Sequence, residues 1–212
     1  MTMRVVVDNG PGKRRASTGR SLKSAQPQIV LRAAVAADAA ALHALIASHL
    51  EEGRLLPRTL DELTIHAPRF VVAVAGSATA PGATVGGQIV GCAELAPLSP
   101  EVAEVRSLVV SRDARRLGVG VRMVEELAAR ARREGYDRLT AFAHDPAFFV
   151  RRGFSIVPHT WVPEKIAHDC NACPLFRNCG QYAIVLELDR ASVERSLNLR
   201  RTAVGPSSTA HV

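Results

Sequence analysis

Arg115-Arg116-Leu117-Gly118-Val119-Gly120 is the stretch whose residue types and spacing most directly imply chemistry. It follows a short β-branched run at residues 105–110 and a polar break at 111–114, and it opens a long amphipathic segment that ends near Gly135. A strand, a glycine-containing turn and a helix start together make an anion site. The first helix amides lack intrahelical acceptors, and the helix dipole adds partial positive charge. Glycine lets a ligand's phosphates approach the backbone, and Arg115 and Arg116 add full charges in a bidentate geometry. The Gly-Lys-Ser/Thr of a triphosphate loop is absent, and Met123 stands where a dinucleotide fingerprint needs its third glycine. The plainer alternative is a glycine turn before an ordinary surface helix. A second group is Cys170-x-x-Cys173, then Cys179, with His168 nearby. It reads either as a zinc ligand set or as free thiols, while Cys92 falls within a strand pattern and reads as a buried thiol.

The elements that must position these residues follow from periodicity and turn chemistry. Residues 29–31 begin the ordered part as a strand, and Asp38 opens a helix with Leu42, Leu45, Ile46, His49 and Leu50 in one stripe, ended by Gly53. Thr59 and Glu62 fit a capping box at the start of a second helix. Strands at 70–75 and 88–95 form a hairpin around a flexible turn at 76–87, and the central strand follows. The helix after the glycine loop presents Val121, Val124, Leu127, Ala128 and Ala131 on one face. Strands at 138–143, 154–157 and 182–188, with a short helix at 147–152, complete a mixed α/β domain around one largely antiparallel sheet.

With 47% hydrophobic and 22% charged residues, the 212-residue chain reads as one globular domain with tails. The expected division is a disordered basic leader at 1–27, a domain at 28–189 and a disordered tail at 190–212. The net charge of +7 raises nucleic acid as a partner, but much of the excess lies in the two tails. The few aromatics do not interleave with basic residues as a stacking platform would, so no nucleic acid is expected. No apolar run is long enough to span a bilayer and no signal peptide is evident. Cytoplasm is the expected compartment, with the cysteines reduced.

Arg-x-x-Gly-x-Gly after a strand resembles the acetyl-CoA pyrophosphate loop of the GNAT acetyltransferase superfamily. Leu31-Arg32-Ala33 with Asp38, the hairpin, and the run Phe148-Phe149-Val150-Arg151-Arg152-Gly153-Phe154 follow in that superfamily's order, and the likeness covers roughly residues 29–189. A narrower likeness, to short stand-alone N-acetylglutamate synthases, is carried by three stretches: Glu52-Gly53-Arg54-Leu55-Leu56-Pro57-Arg58-Thr59, Glu104-Val105-Arg106-Ser107-Leu108, and Val162-Pro163-Glu164-Lys165-Ile166 with Asp169-Cys170-Asn171-Ala172-Cys173-Pro174. The resemblance implies an α/β (α+β) domain of the GNAT acyl-CoA N-acyltransferase fold, its mixed, largely antiparallel sheet flanked by helices. It implies acetyl transfer from acetyl-CoA to the α-amine of glutamate in arginine biosynthesis. Other acceptors are glutamine or another amino acid, a small-molecule amine or a protein terminus. No amino-acid-kinase domain, and so no arginine feedback through one, is expected, and a homodimer is a candidate assembly. A different class is a weakly catalytic acyl-CoA-binding or RNA-associated protein with basic tails.

The same resemblance assigns roles. Leu108, Val109 and Val110 hold the acyl-CoA arm on a strand that splays from its neighbour, with an N–H near Val109 or Val110 as oxyanion donor. The amides of Arg115, Arg116, Leu117, Gly118, Val119 and Gly120 take the pyrophosphate. Glu104, at the start of that strand, takes the ammonium proton, with Glu94 as rival base. The superfamily's usual tyrosine acid is replaced by Phe149, leaving His144 or Tyr182 to protonate the thiolate. Arg106 shares a strand face with Glu104 and, with Arg58 and Lys165, is a candidate for substrate carboxylates; the alternative for Arg58 and Lys165 is solvated surface charge.

Overall fold

The computed structural model describes residues 28–50, 55–76 and 87–188. Both tails, Gly53 and most of the hairpin turn therefore lie outside the described residues. The chain runs β1 (Gln28–Ala33), α1 (Ala39–Ala47), α2 (Leu60–His66), β2 (Phe70–Gly76), β3 (Gln88–Pro97), β4 (Val102–Val110), α3 (Val119–Glu134), β5 (Arg138–Ala143), α4 (Ala147–Val150), β6 (Ser155–Val157), α5 (Pro163–Lys165) and β7 (Tyr182–Glu187). One seven-stranded sheet holds all the strands among the described residues, in the order β1-β2-β3-β4-β5-β7-β6. Every neighbouring pair is antiparallel except β4 and β5. This is the expected α/β architecture, with helices on both faces.

Strand alternation divides the core in two. On β2, Val71 and Ala73 join a cluster beneath α3 with Leu95, Val105, Leu127 and Leu139. Phe70, Val72 and Val74 point to the opposite face and pack with Leu42, Ile46 and Leu63 of α1 and α2. Thr59 caps α2 by accepting from Glu62 N at 3.2 Å. Only half of the expected capping box forms, because the Glu62 carboxylate turns to Arg58. Asp38 stands at the N-cap position of α1 without bonding that helix's amides; its carboxylate accepts from Val35 N, capping the single turn Ala36–Asp38 that leads into α1, and from Arg32 at 2.6 and 2.8 Å.

Two boundaries differ from expectation. β4 begins at Val102, so Glu104 lies inside it and not at its start. α3 begins at Val119, four residues beyond Arg115, and buries Val124, Leu127, Ala128 and Ala131 of the expected face. Met123 is fully buried, whereas Val121 is only partly so.

β4 is irregular in a way that matters for the site. Its register with β3 shifts between Cys92 and Glu94, where β4 carries one extra residue. Ser107 sits there at φ 48°, a left-handed conformation that costs a residue bearing a Cβ. Cys92, fully buried behind this bulge, donates Sγ–H to Ser107 O at 3.5 Å, and burial pushes its thiol up to about 12. Pairing of β4 with β5 runs from Val102↔Arg138 to Val105↔Ala141 and then stops, while β5 continues against β7 to Ala143. The two central strands therefore part just where the bulge occurs.

Leu127 is completely buried at the centre of the α3 layer. Leu127→Ala should lower the unfolding free energy by about 2–5 kcal/mol in urea denaturation; a loss below about 1 kcal/mol would contradict this packing.

Candidate active site

The glycine loop leaves β4 through a single turn at Arg112–Ala114 and enters α3 at Val119. Arg116 has φ 64° and Gly118 φ 74°. Two left-handed residues in three positions give the kind of backbone in which successive amides converge on an anion. At Gly118 the need is conformational, since an added Cβ would meet nothing within 4 Å. At Gly120 a Cβ would lie 3.5 Å from the Phe148 ring and 3.6 Å from Val110 Cγ2, so this glycine keeps open the space between the loop and the end of β4. Arg115 departs from the expected set: its N–H donates to Arg112 O at 3.2 Å and its Nε to Val110 O at 3.1 Å.

Strand parity sharpens the expectation for residues 108–110. Ser111 N donates to Val90 O, and Val109 is the register partner of Cys92. The N–H groups of Val109 and Ser111 thus point to β3, and those of Leu108 and Val110 point to the opening toward β5.

The charged residues meet on one face of β3 and β4. Glu104 is buried, at 3% exposure. Arg106 Nε donates to its Oε2 at 2.6 Å, and Lys165 Nζ donates to Oε1 and Oε2 at 2.8 and 2.9 Å. Asp169 closes the ring: its Oδ2 accepts from Lys165 Nζ at 2.8 Å and from Arg106 Nη2. Burial raises the Asp169 carboxyl, but hydrogen bonds and charge from Lys165, with Arg106, outweigh it and hold the group below the ordinary carboxylate range. A depressed carboxyl of this kind stabilises the fold above its unfolded pKa. The contribution is lost only as pH falls through its still lower folded value, so the ring is intact at neutral pH. Burial lowers the Arg106 guanidinium, and Glu104, Asp169 and Glu94 together reverse this, leaving it above its usual value.

Glu94, at 1% exposure, lies directly opposite Arg106 in register. Arg58 reaches it from the loop before α2, placing Nη1 2.8 Å from Glu94 Oε2 and 3.3 Å from Ser107 Oγ, with Nε 2.8 Å from Glu62 Oε1. Arg58 and Lys165 are therefore not solvated surface charges; their side chains are 9% and 13% exposed. Arg58 belongs to the Glu94 pair and the bulge, whereas Arg106 and Lys165 belong to the Glu104 ring.

His144 follows β5 and stands half-buried with Nδ1 3.1 Å from Gly180 O. A carbonyl only accepts, so Nδ1 carries the proton and Nε2 of the neutral ring is an acceptor. His144 could then serve as an acid only as imidazolium. Phe149 is a core residue packed edge-on against Phe148 and Phe154. Cys170, Cys173 and Cys179 are free thiols, and among the described residues no three His, Cys, Asp or Glu side chains form a group that could hold a metal ion. Cys179 is exposed and Cys170 and Cys173 are partly buried.

Two features were missed by sequence reasoning. Asp169 was noted only within a cysteine-containing match. Arg152, beside the Gly-Phe pair, stacks its guanidinium 3.7 Å from the Phe148 ring centre and donates to Phe148 O. It lines a cavity of about 530 Å³ between α3 and the α4–β6 turn, with Arg132, Arg151, Val124, Phe154 and Leu186. The cavity does not include Glu104, Arg106 or Lys165.

A sheet whose two central strands part beside a glycine loop opening onto a helix defines an acyl-CoA N-acyltransferase fold. The Acetyltransferase (GNAT) family model matches residues 42–154, and the chain belongs to that family. It is accordingly an acetyl-CoA-dependent N-acetyltransferase. An uncharacterized N-acetyltransferase of Chlorobaculum tepidum is 30% identical over 158 residues, covering 74% of this chain and 96% of that protein. N-acetylglutamate synthase from Neisseria gonorrhoeae, complexed with coenzyme A and N-acetyl-glutamate, matches with a TM-score of 0.65 and 26% identity over 78% of this chain. The match spans only 36% of that synthase. Rv2747 from Mycobacterium tuberculosis, in complex with CoA, has the same fold, with a TM-score of 0.61, 22% identity and coverage of 76% of this chain and 99% of that one. No helix among the described residues is long and apolar enough to cross a membrane.

Removing Arg58 would leave Glu94 buried without the cation that hydrogen-bonds its carboxylate. Arg58→Met should cost about 3–5 kcal/mol of stability, and adding Glu94→Gln should restore most of it. Chemical denaturation of the three proteins checks this; a single variant as stable as wild type would place Arg58 in solvent.

Proposed function

We propose that this enzyme transfers acetyl to the α-amine of a free amino acid that carries a carboxylate, with L-glutamate as first acceptor and glutamine as second. One observation carries the reading: Glu104 is held between Arg106 and Lys165 on the same strand that, six residues later, turns the Val110 N–H into the opening beside β5. A proton acceptor flanked by two cations suits a substrate that presents an ammonium group and a carboxylate together. The likeness to a synthase complexed with N-acetyl-glutamate supports the same acceptor class.

In this reading the amides of Arg116 to Gly120 hold the pyrophosphate of acetyl-CoA, and its arm lies along Leu108–Val110. The cavity edged by Arg132, Arg151 and Arg152 takes the nucleotide end. Glu104 removes a proton from the acceptor's ammonium, directly or through a water. The free amine attacks the thioester carbonyl, and the developing oxyanion meets the Val110 N–H. The tetrahedral intermediate collapses with cleavage of the C–S bond, and the nitrogen's remaining extra proton passes to solvent. CoA leaves as a thiolate. A thiol pKa near ~8.5 makes that a fair leaving group without a tyrosine acid, which suits a site with Phe149 in that position and His144 tied to Gly180.

CoA release from acetyl-CoA, measured across a panel of amines, tests this. Glutamate or glutamine should give turnover well above hydrolysis, with amines lacking a carboxylate near background. Turnover with a simple amine or a peptide N-terminus, and none with either amino acid, would overturn the assignment.

A further inference from the structure

The ring around Glu104 is complete without a substrate. Both Glu104 oxygens are occupied, and Arg106 and Lys165 are each shared between Glu104 and Asp169. An acceptor carboxylate approaching these cations meets a carboxylate already there, and an ammonium proton must compete for Glu104 with Lys165, which bonds both of its oxygens, and with Arg106, which bonds Oε2. The geometry points to Asp169 as a built-in stand-in for the acceptor's carboxylate: it fills the seat between Arg106 and Lys165, and an acceptor enters by displacing it. This rests on the reading of Glu104, Arg106 and Lys165 as the amine end.

Three observations separate Asp169 from a permanent clamp. It is the outermost member of the ring, its side chain 31% exposed against 4% for Glu104, 13% for Lys165 and 22% for Arg106, so it is the one that can return to water at least cost. It also sits in a thinly anchored segment. No residue of Pro163–Lys165 or Ile166–Cys170 is buried, and the nearest core anchor is Val162. Few buried apolar contacts mean a low cost of local opening. Finally, Ile166–Cys170 is a single π-helical turn, a rare geometry that is frequent at functional sites.

The exchange also accounts for selection. A substrate carboxylate taking the place of Asp169 draws Lys165 and the Arg106 Nη2 edge toward itself and frees an oxygen of Glu104 for the ammonium. An amine without a carboxylate leaves the ring closed and the base engaged. Asp169 thus acts as a specificity-determining positioning residue, with no contact to the reacting atoms.

Glutarate, a dicarboxylate that carries no amine and cannot react, is the probe. Titrated calorimetrically into the CoA-bound enzyme, it should bind Asp169→Asn about tenfold more tightly than wild type, as expected when a seat occupied by its own stand-in most of the time is vacated. Asp169→Glu, which keeps the charge, should bind it nearly as wild type does, and CoA affinity should be equal in all three. Equal or weaker glutarate binding by Asp169→Asn, with CoA affinity intact, overturns the proposal. A crystal structure of the wild-type enzyme with glutarate answers without a substitution: Asp169 withdrawn from Lys165 supports the exchange, and Asp169 still paired beside the bound ligand refutes it. Because glutarate has no amine, this readout stands apart from the acceptor panel, and the two readings can fail separately.

Discussion

Two carboxylates, Glu94 and Glu104, lie buried on one face of the central strand pair, and much of the rest of the site follows from having to compensate them. A carboxylate taken out of water is tolerated only when cations and hydrogen bonds replace its hydration. Arg106 can come from the same strand, but Arg58 and Lys165 must be brought from segments distant in sequence. The loop before α2 and the segment after β6 are therefore held against the sheet by charge as well as by the apolar anchors Leu55 and Val162. Glu94, with Arg58 on one side and Arg106 opposite, links the two groups.

In the proposed reading, β4 then joins this charged end to the thioester end. The bulge at Ser107 lets one strand keep Glu104 and Arg106 on a common face and still turn Leu108 and Val110 toward the space where β5 departs. Arg58 bonds both Glu94 and Ser107, so it ties the strained backbone to the buried pair. Beyond Val110 the chain curls through Arg116 and Gly118 into α3. The distance between the charged face and the glycine loop is thus fixed by one continuous piece of backbone, anchored beneath by Met123, Val124 and Leu127.

What could be read from the sequence was what is local. Strand alternation placed Glu104 and Arg106 together, glycine chemistry marked the loop, and apolar periodicity gave the helices and their order. The buried face of α3 was legible in Val124, Leu127, Ala128 and Ala131, but Met123 is buried where Val121 was expected, and no proline announces the turn that delays the helix to Val119. The Ser107 bulge carries no glycine signal. Arg58 and Lys165 were weighed against solvent because isolated charged residues usually are exposed; their burial depends on partners 36 and 61 residues away in sequence. Asp169 was hidden for the same reason: its role depends on contact with Arg106, 63 residues distant, while its neighbours in sequence suggested cysteine chemistry.

The central claim is that Glu104 serves the amine while the far end of the same strand serves the thioester, and Glu104→Gln separates the two. Steady-state kinetics with saturating acceptor should show kcat reduced by about 100-fold or more, the scale of general-base assistance. Acetyl-CoA affinity should be unchanged, and the acidic limb of the pH–rate profile should disappear. A variant that keeps the wild-type profile, or that loses acetyl-CoA affinity in proportion to turnover, would contradict the account.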